Sequence, residues 1–129
     1  TKSEANQGQK NSVPVGSASL IQVFNEGKKV FNNNCTVCHT MTPDKLIGPG
    51  LKDVFERRKV EWVKGFIENS AKMIASGDSL AVAVYNEYHK TQMQSYPFSP
   101  QKMDKLLFYM ANVGREKFIT LDELRKQEK

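Results

Sequence analysis

Cys35-Thr36-Val37-Cys38-His39 is the segment that most constrains what this chain can fold into. Its C-x-x-C-H order is the attachment signature of a c-type haem. Each thiol can add to one vinyl group of a single porphyrin, and the histidine that follows lies under the iron. These five residues take up both cysteines of the chain, which leaves no disulfide and no Cys-rich cluster. Two other chemistries use part of the pattern. A redox dithiol of thioredoxin type sits between a strand and a helix, whereas residues 20–31 read as helix. Structural zinc takes four ligands, and beyond the two cysteines the chain offers only His39 and His89.

A chain of 129 residues is one domain. Its 39% hydrophobic and 26% charged residues are ordinary for a small soluble protein. A haem would enlarge the core, because the chain can fold around a large apolar disc. No apolar run approaches the roughly 20 residues that cross a bilayer, and no signal peptide is visible. The formal net charge of +5 suits an acidic protein surface or an anionic membrane. Nucleic acid is not expected, since the basic residues are scattered and only Arg57-Arg58-Lys59 forms a run.

The periodicity is helical throughout. Residues 1–19 are polar, as in a disordered tail or linker. Leu20, Val23, Phe24, Gly27 and Phe31 fall on one face of a first helix. Gly27 lowers helix propensity, and a close approach by another helix would explain it. Residues 40–51 hold Pro43, Gly48, Pro49 and Gly50, a loop by punctuation. A short helix near 52–57 is expected, then helices over 61–75 and from 80 to 88, with a break and cap signal at 76–79. Residues 90–99 form a loop. Ser99 caps the next helix and Pro100 occupies its first turn. Gly114 stops that helix, and Thr120 to Glu123 spells a capping box for a short charged last one.

In this order the chain resembles a class I cytochrome c of the small bacterial mono-haem kind, over residues 20–114. The likeness rests on Gly27-x-x-x-Phe31-x-x-x-Cys35-x-x-Cys38-His39, on Gly48-Pro49-Gly50-Leu51, and on Met93 ahead of a helix ending in Leu106-Leu107-Phe108-Tyr109-Met110. It implies an all-α fold of four to six helices wrapped around one covalently attached haem. The polar tail of 1–19 and a C-terminal helical extension over 115–129 lie outside that fold. It also implies that Gly27 and Phe31 lie where the first and last family helices cross, near Leu106 and Tyr109. The family often has proline after the ligand methionine; Gln94 stands here, with proline displaced to Pro97.

The resemblance implies haem c held by Cys35 and Cys38, with His39 as one axial ligand and Pro49 as the carbonyl that orients its ring. Met93 is the expected sixth ligand, and His89 is its rival. Met41 is too close in sequence to His39 to reach the other face. Met73, Met103 and Met110 read as core. Trp62, Arg57 and Arg58 are expected donors to the haem propionates, and Tyr85 and Tyr96 could also reach the pocket.

One-electron transfer, without enzymatic chemistry, is the expected function. Redox partner proteins would meet a lysine-bearing surface formed by Lys28, Lys29, Lys45, Lys52 and Lys90. An electron-entry subunit of a membrane-associated respiratory complex, tethered through the tail, is the alternative. A haem gas sensor or enzyme with a labile sixth ligand is a third reading. A monomer in the periplasm, or on the outer face of the cytoplasmic membrane, is expected, because covalent haem attachment in the family occurs outside that membrane.

Overall fold

Six helices carry the described residues: α1 (Ser17–Asn34), α2 (Val54–Arg57), α3 (Val60–Ala75), α4 (Ser79–Glu87), α5 (Pro100–Asn112) and α6 (Leu121–Gln127). The structure is a computed structural model and describes residues 17–128. Among these there is no strand, and no helix is long and apolar enough to cross a membrane. The polar tail expected over 1–19 falls mostly outside the described residues. Its last part is corrected, since residues 17–19 form the first turn of α1. Small Ser and Ala residues there do not oppose helix.

α1 and α5 cross in the most extensive helix contact of the fold. The crossing is close because Gly27 has no side chain: a Cβ there would run into the Lys105 backbone carbonyl. Phe24 and Phe31 pack against Tyr109, with ring centroids 5.0 and 5.5 Å away. Both distances suit tilted aromatic pairs. Glu26 and Lys105 form an ion pair of 2.7 Å at the rim of the crossing.

α3 is bent. Asn69 leaves helical geometry at φ −166° and ψ 82°. Its side-chain oxygen then accepts from Lys72 N at 3.1 Å, as an N-cap does at a helix start. α4 begins at a second cap, where Asp78 accepts from Ala81 N. α5 starts at Ser99 with Pro100 following, and α6 at the reciprocal Thr120–Glu123 box. Those local signals act as the sequence reading expects.

The C-terminal segment folds back on the core. Asn112 is fully buried and exchanges three hydrogen bonds: its amide donates to Phe108 O and Ile119 O, and its oxygen accepts from Ile119 N. Further on, the Glu128 carboxylate accepts from Val60 N at 2.7 Å. It takes the place of a cap at the start of α3, where Lys59 supplies none. Arg125 bonds Glu61 at 3.0 Å beside it.

Candidate functional site

The cysteine motif continues the winding of α1. Cys35 N donates to Phe31 O, and His39 N donates to Cys35 O at 2.9 Å. Positions i, i+3 and i+4 of a helical turn share a face, so Cys35, Cys38 and His39 come to one side. The loop after the motif then folds over the histidine. Gly48 N donates to Cys38 O at 2.7 Å, and Leu51 N donates to Thr40 O at 2.8 Å. Both bonds bring Pro49 up to the ring.

His39 Nδ1 lies 2.8 Å from the Pro49 carbonyl oxygen. A carbonyl only accepts, so Nδ1 carries the proton and Nε2 keeps its lone pair. Burial pushes the imidazole below its ordinary pKa, while the Pro49 hydrogen bond works the other way. The neutral, ligating form is therefore favoured at neutral pH. Gly48 lies against the ring; a Cβ there would sit 2.5 Å from Cε1. Burial also pushes the Cys35 thiol up, to about 11, with Cys38 adding to the effect. As a free thiol it is thus protonated at neutral pH.

Cys35, Cys38 and His39 line a cavity of ≈ 1060 Å³, walled also by Trp62, Phe66, Ile67, Tyr85, Tyr88, Met93 and Tyr96. The loop carrying Met93 is fixed to the bent part of α3. Ser70 Oγ donates to Met93 O at 2.9 Å, and Tyr96 N donates to Ile67 O at 2.9 Å. The Tyr96 hydroxyl reaches Asn34 O at 3.0 Å, one residue before Cys35. His89 is exposed, does not line the cavity, and follows α4 in left-handed backbone together with Lys90. Met103 and Met110 are buried on α5, as core residues are, and Met110 also lines the cavity. Among the described residues no three His, Cys, Asp or Glu side chains converge on a metal position.

The donors expected for propionates line the same cavity, but each holds a protein partner. The Trp62 indole N–H donates to Asp78 Oδ1 at 3.0 Å, because that carboxylate already stands at the α4 cap. The Trp62 hydrogen bond is the largest influence holding the Asp78 carboxyl below the usual carboxylate range. Arg57 donates to Lys52 O and Gly50 O, and so braces the loop that carries Pro49. Arg58 donates to Arg57 O and lies 5.5 Å over the Trp62 ring. Sequence reasoning missed Ser70. The available signal was a hydroxyl in the helical stripe of Val63, Ile67 and Ile74.

The cytochrome c family model matches residues 24–114. The chain belongs to the cytochrome c family. Its structure is similar to cytochrome c from Rhodothermus marinus, at 27% identity and a TM-score of 0.67, over 85% of this chain and 92% of that one. It is also similar to an engineered cytochrome c from Rhodothermus marinus bound to a carbene intermediate, at 26% identity and a TM-score of 0.64 over the same shares. No curated protein matches the chain. The family's cofactor is a covalent c-type haem and its chemistry is electron transfer. The cavity of this cytochrome c fits that group on its own chemistry. It combines two thiols, an imidazole whose Nε2 is unprotonated, the thioethers of Met93 and Met110, and largely apolar walls.

Proposed function

We propose that this cytochrome c is a one-electron carrier, with haem joined to Cys35 and Cys38 and axial ligands His39 and Met93. The observation that carries the reading is that all four side chains line one cavity, while His89 does not. The haem, when bound, supplies an iron that takes up and returns one electron. His39, oriented by Pro49, and Met93 would hold that iron, so little would rearrange between oxidation states. A thioether ligand favours ferrous iron and raises the potential. Arg57 and Arg58 serve the anionic edge of the group. A guanidinium carries five N–H donors, so each arginine can brace its loop carbonyl and still meet a propionate. Trp62 serves there through its packing and through Arg58.

Exposed Lys28, Lys29, Lys45, Lys52 and Lys90 support an acidic redox partner, met in a brief encounter guided by charge. Val37, Leu46 and Ile47 are exposed beside them and offer apolar contact. An exported location, facing a respiratory oxidase or reductase, accords with covalent haem attachment. A membrane tether through the polar N-terminal tail is the alternative reading, and that tail falls mostly outside the described residues.

Optical spectra of the haem-loaded protein, oxidised and reduced, test this assignment. The expected result is a haem c spectrum with the weak red charge-transfer band of sulfur-ligated ferric iron, lost in Met93→Ala. A band that survives Met93→Ala rules Met93 out as ligand. A spectrum without haem returns Cys35, Cys38 and His39 to thiol or metal chemistry.

A further inference from the structure

The family often follows its ligand methionine with proline, which stiffens the loop; Gln94 stands in that place here. The bend in α3 offers a different means of fixing the loop. Where Asn69 interrupts the helix, the Ile67 carbonyl accepts from Tyr96 N. One residue past the interruption, Ser70 is fully buried and its hydroxyl donates to Met93 O at 2.9 Å. Asn69 caps the restarted helix, so the interruption is itself stabilised. At the far end of the loop the Tyr96 hydroxyl bonds Asn34 O, next to the cysteine motif. The chain enters the loop through His89 and Lys90, both at positive φ, a conformation that costs energy for residues with a side chain. The loop is therefore held closed against a strained entry by bonds to α3 and α1.

We propose that Ser70 is a positioning residue for the sixth ligand: its hydrogen bond to the Met93 backbone sets how often the sixth position opens to a small external ligand. The inference rests on Met93 being that ligand. An external ligand binds only the open form, so its apparent affinity scales with the open fraction. Removing the hydroxyl leaves the part-buried Met93 carbonyl without this partner in the closed form alone. The balance then moves toward the open form.

The test is titration of the ferric, haem-loaded protein with imidazole, followed by the shift of the main haem absorption band. Ser70→Ala should bind imidazole roughly tenfold more tightly than the native protein, the effect of one lost hydrogen bond at a part-buried carbonyl. Tyr96→Phe keeps the ring stacked on Phe98, 5.4 Å away, and removes only its hydroxyl bond. It should tighten binding about threefold or more, and it serves as the second probe if Ser70→Ala does not fold. Leu121→Ala, in α6 and away from the loop, lowers general stability and should leave imidazole affinity unchanged. Native affinity in Ser70→Ala, or equal tightening in Leu121→Ala, overturns the proposal. Met93→Ala separates the two failures. If it keeps the sulfur–iron band, the ligand assignment falls and the inference with it. If it loses the band while Ser70→Ala binds as native does, only the inference falls.

Discussion

His39 owes its chemistry to one backbone carbonyl and one missing Cβ. Pro49 O fixes the tautomer, and Gly48 leaves room for the ring that Pro49 orients. Together they leave Nε2 as the nitrogen with a free lone pair, in a ring that has room to sit. Gly27 plays the corresponding part in packing. Gly27→Ala gains about 1 kcal/mol of helix propensity. It also drives a methyl group into the Lys105 carbonyl and must push α1 from α5. Overpacking of this kind costs roughly 1–3 kcal/mol, and a clash with rigid backbone lies toward the upper end, so a net loss of up to about 2 kcal/mol is expected from urea denaturation. A variant as stable as the native protein would mean that the two helices separate freely. Both glycines stand out in the sequence, Gly27 because it opposes its helical pattern and Gly48 because it punctuates a loop. What each makes room for is decided by residues far along the chain.

Elements with local signals were legible in the sequence. The starts of α4, α5 and α6 each carry a side-chain cap within three residues of the bond it makes. The bend in α3 was not legible, because Asn69 acts together with a loop about 26 residues later, where the Ser95 hydroxyl reaches its side chain. The attachment of α6 also depends on distance. Asn112 sits on the buried face of α5 and holds Ile119 by its N–H and its carbonyl. Asn112→Ala leaves both groups unpaired in the interior, at a cost of about 2–4 kcal/mol. Amide hydrogen exchange should then accelerate through Leu121–Gln127 while α1 keeps its protection. Equal acceleration in α1 and α6 would show that the segment is part of the same cooperative unit as the haem-bearing core.

At the scale of the whole molecule, the exposed lysines proposed to meet a redox partner can be tested together. Replacing Lys28, Lys29, Lys45, Lys52 and Lys90 with Gln should slow oxidation of the ferrous protein by anionic hexacyanoferrate at low salt. The two proteins should converge near 1 M salt, where screening acts within about 3 Å. Rates that do not depend on these lysines would remove charge steering from the proposal. The motif alone fixed the haem chemistry, because covalent attachment needs two thiols and a histidine within five residues, and such spacing is local. Helix content and the caps were fixed locally too, through periodicity and side chains that bond their own turn. Only the tertiary structure decided which residues hold the site in place. It paired Trp62 with Asp78, Arg57 with the loop carbonyls, and Ser70 with the backbone of Met93. A buried donor takes whichever acceptor the packed chain brings to it, and that choice follows from contacts between segments that no local pattern encodes.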